Sequence, residues 1–297
     1  MSEATRSERL ARAVGFNYLE NPRQILFLIG VGVLLLWILL PVYWIFAVSL
    51  RTTEEIFATS PRVLLDVGSL NWENYRILNP LPGQQVDNFS RFVVNSAIIA
   101  TGNAVLTIVL AIPAAYAFRL GVRYSKHIFF WILTNRMAPP AAFLLPMFLL
   151  ASELNIIGTH HGLILVYLVF NLPLAIWLIY GIIKAIPEEI DEAVYVDGGD
   201  EMDVLKEVIV PLSKPGIAVS FLLVWLFAWN HYAFTLMLSS DDTMTITQGI
   251  AQFFTTVGTS WNLMAAGTVV SMIPGIILAA IVQRHIVTGL TFGAVKM

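Results

Sequence analysis

The residues most able to do chemistry in this sequence are carboxylates clustered between positions 186 and 216. The pair Gly198-Gly199 divides the cluster, and apolar residues on both sides of it recur at helical spacing. This pattern predicts two short helices with a negative face, joined at a glycine elbow. Such a face suits docking on a basic protein surface, although an ordinary solvated run of charge explains it equally well. Nine of the chain's 20 acidic residues belong to the cluster: Glu188, Glu189, Asp191, Glu192, Asp197, Asp200, Glu201, Asp203 and Glu207.

Local signals set the expected bounds of the two helices. Pro187 suits the first helical turn, and the acidic residues that follow it favour a helix N-terminus. Asp200 is the predicted N-cap of the second helix, and Pro211 is predicted to end it.

The sequence offers no arrangement typical of catalysis or metal binding. There is no cysteine, and His160-His161 lacks further ligands at a spacing that suits zinc. A phosphate-binding P-loop ends in Gly-Lys followed by Ser or Thr, and the chain contains no Gly-Lys dipeptide. The chain is therefore expected to be no enzyme and to hold no cofactor of its own.

A second set of candidate residues is polar or aromatic and lies within long apolar stretches. Polar groups at membrane depth are costly, so they tend to face a pathway or a partner helix. For Arg136, an anionic ligand competes with a structural role beside the helix break at Pro139-Pro140, and the structural role is favoured. The aromatic residues could contact the C–H surfaces of a sugar, but packing between helices is the commoner cause. The pathway candidates are Asn95, Asn135, Arg136, Asn171, Trp229, Asn230 and Tyr232.

The elements that must position these residues are membrane-spanning helices. Hydrophobic residues make up 57% of the 297 residues and charged residues only 12%, which excludes a soluble fold of this size. The net charge of −3 argues against a nucleic-acid partner. An all-α, polytopic membrane protein with six spans is predicted. The spans cover Ile25–Leu50, Phe89–Phe118, His127–Leu150, Gly162–Ala185, Ile217–Leu238 and Leu263–Val282.

The positive-inside rule predicts the orientation of these spans. With a cytoplasmic N-terminus, 12 of the 17 Lys and Arg residues lie on the cytoplasmic side. The other side holds four, and Arg136 falls within the third span. Both termini are therefore expected in the cytoplasm. The expected organisation is an N-terminal segment 1–24, a lipid-embedded domain 25–285 containing the cytoplasmic loop 186–216, and a C-terminal tail 286–297.

The loop resembles a motif of ABC-importer permeases. That EAA motif reads Glu-Ala-Ala, three residues, Gly, nine residues, then Ile-x-Leu-Pro. Glu192-Ala193-Val194 occupies its first three positions, Gly198 its glycine, and Ile209 and Pro211 its end. Val194 and Val210 depart from it by apolar exchanges, and Ile209 lies one residue away from the expected position.

The tail and two internal segments support the same resemblance. Gln283–Lys296 is similar to the C-terminal signature of carbohydrate permeases, within their maltose-type second-subunit branch. The segments Arg136–Pro140 and Ala228–Asn230 also look like that branch. The resemblance covers residues 25–297 and implies the type I importer (MetI-like) fold.

The resemblance also implies a function and partners. The chain would be one permease of a heterodimer that imports a carbohydrate, polyol or sugar derivative across a bacterial or archaeal cytoplasmic membrane. An ATPase dimer holding ATP and Mg would dock below, and an extracytoplasmic binding protein above. The implied contacts with the ATPase are Glu189, Glu192, Ala193, Val194, Asp197 and Gly198. The alternative is an ion-coupled secondary carrier, which would need carboxylates within the spans.

Overall fold

The computed structural model describes residues 22–59, 63–78, 89–254 and 258–294, without the side chains of 22–24, 136 and 284–294. The described chain is helical apart from its turns and one isolated bridge between Phe254 and Thr259. A 3₁₀ turn covers Val67–Ser69, and a π-helix covers Val204–Ile209. The α-helices are α1 (Pro22–Ser49), α2 (Thr53–Ile56), α3 (Glu73–Leu78), α4 (Phe89–Arg119), α5 (Ser125–Met137), α6 (Pro140–Glu153), α7 (His160–Ile183), α8 (Glu189–Val196), α9 (Glu201–Asp203), α10 (Val210–Trp229), α11 (Ala233–Leu238), α12 (Ile246–Ala251) and α13 (Trp261–Ala294).

The structure has five or six candidate membrane spans, where six were predicted. Among the described residues, α1, α4, α7, the helix ending at Trp229 and α13 are each long and apolar enough to cross a bilayer. The bent pair of α5 and α6 supplies a sixth candidate. Helices satisfy their own backbone hydrogen bonds, which lipid cannot do.

Three central helices form the core. α4 packs against α7 and α10, and α10 also packs against α7 and α13. On α4 the packed face is built from alanines: Ala100, Ala104, Ala111 and Ala115 are fully buried. Small residues let helix backbones approach closely, which matters in a membrane because lipid is as apolar as the side chains.

The first helix lies outside this core. α1 packs mainly against α13, and none of its apolar window is buried within the chain. Trp37 on this helix is 78% exposed. An apolar surface of this extent is suited to lipid or to another membrane subunit.

Hydrogen bonds from polar side chains fasten the connecting segments to the helices. The Asn74 amide donates to the backbone oxygens of Ser49 and Arg51 at 2.9 Å, and the Asn262 amide donates to Asn74 Oδ1 at 2.9 Å. The backbone amide of Ile246 donates to the hydroxyl of Ser96 at 2.8 Å. These bonds fix the bundle end that carries residues 50–59, 63–78, 239–254 and 258–260, which we call the loop end.

The structure shows the helix break that was expected at Pro139-Pro140, and it corrects two other predicted helix bounds. The third span is two helices that meet at 96°, because Pro139 and Pro140 cannot continue α5. The fifth span ends at Trp229 rather than Leu238, and α11 is a separate helix. Pro211 does not end the second helix of the loop, because it lies in the first turn of α10, where its missing N–H is tolerated.

The predicted tail 286–297 is largely a continuation of a span, since α13 runs to Ala294. The predicted N-terminal segment lies outside the described residues up to position 21.

Candidate functional site

The acidic segment, which we define as residues 188–207, lies at the bundle end opposite the loop end. Its first part is the short helix α8 and the turn after it. Glu189, Asp191 and Glu192 lie in the first turn of α8, where carboxylates interact favourably with the helix dipole. The helix ends at Val196, just before the glycine pair, as predicted.

The two glycines of the elbow have different roles. Gly198 has φ +89°, a left-handed conformation that side chains disfavour, while no atom lies within 4 Å of a Cβ placed on it. Gly199 does not have a positive φ, but it has no room for a side chain, because an added Cβ would lie 2.6 Å from Val194 Cγ1. The Gly199 amide also donates to the Val194 carbonyl at 2.9 Å. Gly198 therefore sets the backbone turn, and Gly199 permits its close packing.

The second part of the segment starts with the predicted cap. Asp200 Oδ1 accepts hydrogen bonds from the amides of Met202 and Asp203 at 2.8 and 3.0 Å. The Asp203 carboxylate accepts from the Asp200 amide at 2.9 Å, which completes a capping box. The π-helix follows and runs directly into α10, so movement of the elbow is connected to a membrane span by continuous helical backbone.

The predicted partner-binding residues mostly share an accessible surface. Glu189, Glu192, Ala193, Asp197 and Gly198 are exposed. Val194 is the exception among the six, because it is half-buried against the chain's own core. Neighbouring Val196 is 86% exposed, so the surface is apolar as well as negative.

Sequence reasoning missed the residues that hold this segment in place. Arg119, at the end of α4, forms a 2.8 Å ion pair with Asp191. Its Nη2 also donates to the backbone oxygens of Ile186 and Pro187 at 3.2 and 3.4 Å. Burial raises the pKa of the Asp191 carboxyl above its usual value, and the Arg119 guanidinium opposes that shift.

A second contact lies on the other side of the elbow. The hydroxyl of Tyr116, one helical turn before Arg119, donates to the Glu201 carboxylate at 2.6 Å. The sequence signal for both contacts is weak. A basic residue in the last turn of a helix is common, and nothing local links positions 119 and 191.

Three of the pathway candidates, Asn95, Asn171 and Trp229, are buried and pack between helices. The Asn95 amide donates to the carbonyls of Asp242 and Met244 at 2.9 and 3.0 Å, and its oxygen bonds His160 Nε2 at 2.9 Å. The Asn171 amide donates to Asn103 Oδ1 at 2.7 Å, which joins α7 to α4.

The buried aromatic pair packs in the same way. Trp229 stacks on Trp225 with ring centroids 4.7 Å apart. Its indole N–H donates to the Ser271 carbonyl oxygen at 3.2 Å. The N–H of Trp225 donates to the Thr101 hydroxyl at 3.1 Å. The two rings therefore join α10 to α13 and to α4.

The other candidates lie where helices break. Asn230 and Tyr232 are exposed immediately after α10 ends, and Asn135 is exposed near the end of α5. The side chain of Arg136 lies outside the described part. The helices beyond these breaks, α6 and α11, pack against each other. Two interrupted spans thus meet, an arrangement that membrane proteins tolerate where backbone lines a cavity or is buried in protein.

Together the fold and the site define a class of protein. This is a multi-pass helical membrane protein with a braced, exposed acidic helix at one end and two interrupted spans. Within the described residues no group of three or more metal-ligating side chains occurs.

Comparison with known proteins identifies the family. Residues 107–291 match the model of the binding-protein-dependent transport system inner membrane component. The trehalose transport system permease protein SugB of Mycobacterium tuberculosis is 34% identical over 87% of this chain and 92% of its own length. The trehalose/maltose transport system permease protein MalG of Thermococcus litoralis is 31% identical over 93% of this chain and 98% of its own.

A solved structure has the same fold. A bacterial ABC transporter involved in the import of the acidic polysaccharide alginate superposes with a TM-score of 0.71, at 21% identity over 93% of this chain and 97% of that one. The chain belongs to the family of binding-protein-dependent transport system inner membrane components. It is an ABC transporter permease of the inner membrane, so the alternative prediction of an ion-coupled secondary carrier is wrong.

Proposed function

We propose that this permease subunit takes part in the import of a carbohydrate or a closely related compound. The proposal is supported by what the similar permeases are named for: trehalose, trehalose and maltose, and diacetylchitobiose. Their similarity extends over about nine-tenths of the chain, so it includes the spans as well as the acidic segment.

The chain itself is proposed to be non-catalytic and to be driven by a partner ATPase that binds ATP and Mg. The observation that carries this proposal is the geometry of α8. Its exposed residues Glu192, Ala193 and Asp197 form a negative surface, while Asp191 on the opposite face fixes the helix to the bundle. A helix that is exposed on one face and fixed to the bundle on the other is suited to transmitting the rigid-body movement of a bound subunit.

The remaining partners follow from the two ends of the bundle. We place α8 and both chain termini in the cytoplasm, in accord with the distribution of Lys and Arg. The loop end then faces the outside, where a substrate-binding protein docks. The exposed apolar surfaces of the spans, including α1, are assigned to lipid and to a homologous permease subunit.

The translocation pathway is proposed to run beside the two helix breaks. Asn135, Asn230 and Tyr232 are exposed there, so a polar solute can reach them. The amides of Asn135 and Asn230 each donate to a carbonyl of the preceding helical turn, at 3.3 and 2.8 Å. Asn95, Asn171 and Trp229 are engaged in contacts between helices, so they are proposed to shape the pathway rather than line it.

Cross-linking tests the coupling assignment. Because the chain has no cysteine, Ala193→Cys introduces a single reactive thiol on the exposed face of α8. In membranes of the native host, a photocrosslinker with a maleimide at one end and a benzophenone at the other is expected to link this thiol to the ATPase subunit, because the benzophenone inserts into C–H bonds and needs no cysteine there. Val67→Cys, exposed at the loop end, is the matched control and should give no such product. A link from position 67, or none from 193, would overturn the assignment.

Uptake measurements test the substrate class. Deleting the chain should abolish uptake of at least one of radiolabelled trehalose, maltose and diacetylchitobiose, with proline uptake unchanged as the control. Uptake that depends on a proton gradient when ATP is plentiful would contradict the ATP-driven mechanism.

A further inference from the structure

Side chains from the last turn of α4 bind the acidic segment on both sides of the elbow. Before the elbow, Arg119 binds the Asp191 carboxylate and the backbone that leads into α8. After the elbow, Tyr116 binds Glu201. Two side chains of one helical turn therefore fix both arms of the segment to the same membrane span.

The Arg119–Asp191 pair is buried to a degree that is unusual for an ion pair in a connecting segment. The two side chains are 6% and 11% exposed. Arg119 Nη1 and Asp191 Oδ1 are also buried and have no hydrogen-bond partner among the described residues. A buried pair adds little net stability, because both charges lose their water, yet removing one partner leaves the other charge unpaired. The pair is therefore better explained by the position that it enforces than by the stability that it adds.

Position matters here because of what α4 contacts. α4 packs on α7 and α10, and it also contacts the π-helix that leads into α10. Any displacement of α8 must either carry the end of α4 with it or pull the buried pair apart. Packed cores tend to move as rigid bodies rather than deform continuously.

We propose that Arg119 and Asp191 are positioning residues, and that they transmit the movement of α8 to α4 during the transport cycle. The inference rests on the proposed coupling of α8 to an ATPase. It adds the route by which the movement enters the membrane: directly into the second span through this ion pair, alongside the backbone connections to α7 and α10.

A distance measurement tests the proposal in the intact transporter. Spin labels are attached at Val122→Cys, just beyond α4, and at Val196→Cys on α8, which are 44% and 86% exposed in the parent chain. The sample is the complete transporter, with its partner permease and its ATPase pair. Both are freed of cysteines, so that only the two introduced thiols carry labels. The distance between labels is measured by pulsed electron paramagnetic resonance without nucleotide and after trapping with ATP and vanadate. Co-purification of the ATPase verifies that the labels leave the assembly intact.

The expected result has two parts. In the parent chain the distance stays the same in both states, because α8 and the end of α4 move together. In Asp191→Asn the distance is normal without nucleotide but shifts and broadens after trapping, because the ion pair no longer holds. A purely structural role would alter both states equally. Glu207→Gln removes an exposed carboxylate of the same segment and should behave like the parent.

Several results would overturn the proposal. A distance that changes in the parent chain on trapping would show that α8 moves independently of α4, and this arm remains informative even if Asp191→Asn does not fold. An Asp191→Asn variant whose label distance after trapping equals that of the parent chain would also overturn the proposal. Failure of the parent chain to assemble with any ATPase would instead contradict the proposed function itself.

Discussion

Substitution of Gly198 gives a prediction whose size follows from the structure. Because no atom lies within 4 Å of an added Cβ, Gly198→Ala causes no clash, and its cost comes from φ +89° alone. A left-handed conformation costs a residue with a Cβ about 1–2 kcal/mol. The loss of chain entropy in the unfolded state offsets about 0.4–1 kcal/mol of this. We therefore expect the elbow to lose about 1 kcal/mol of local stability.

The assay is hydrogen exchange at the amides of α8 and the elbow in the assembled transporter. One kcal/mol corresponds to about a five-fold faster exchange through local opening. The order of the variants is more diagnostic than the size of the effect. Gly198→Asn should exchange more slowly than Gly198→Ala, because asparagine tolerates the left-handed region, and Gly198→Val should exchange fastest.

A matched glycine separates backbone conformation from the general effect of adding a methyl group. Gly181 in α7 also has nothing within 4 Å of its Cβ, but it lacks a positive φ. Gly181→Ala should therefore leave exchange at the elbow unchanged. If Gly198→Ala exchanged like the parent chain, or if the asparagine variant were the worst of the three, the conformational argument for Gly198 would be refuted.

Two further predictions concern buried or capping polar groups. Asp200→Ala removes the acceptor for two backbone amides and should cost about 0.5–2 kcal/mol, seen as faster exchange at Met202 and Asp203, whereas Asp200→Asn should largely preserve the cap. Asn171→Leu leaves the Asn103 oxygen without its amide donor and should cost about 0.5–2 kcal/mol, seen as a lower midpoint of thermal unfolding in detergent by tryptophan fluorescence. The double variant with Asn103→Leu should recover part of that loss, and a double variant less stable than the sum of the single changes would contradict the pairing.

The sequence predicted the helices and the break at Pro139-Pro140, but it missed the end of the fifth span at Trp229 and the place of Pro211. Long apolar stretches are a strong signal because lipid leaves the backbone few alternatives to a helix. Prolines are ambiguous, since the same residue ends one helix and begins another. Pro139 and Pro140 break the third span, whereas Pro211 was expected to end a helix and instead lies in the first turn of one. The residues around each proline decide between these outcomes through packing that the sequence does not display.

The candidate site shows the same division. The elbow at Gly198 and the cap at Asp200 were predictable because they depend on φ and on hydrogen bonds to nearby backbone. The ion pair of Arg119 and Asp191 was not, because its partners are far apart in the chain and neither has a local signature.

The sequence by itself determined that this chain spans a membrane and carries an acidic helical elbow, and its motifs identified the family. Those properties follow from composition, helical spacing and local capping, which short stretches of chain contain in full. Only the tertiary structure decided which face of α8 is exposed and which residues tie it to α4. It also decided that Asn171 and Trp229 pack between helices, because burial and long-range hydrogen bonds arise only when distant helices meet.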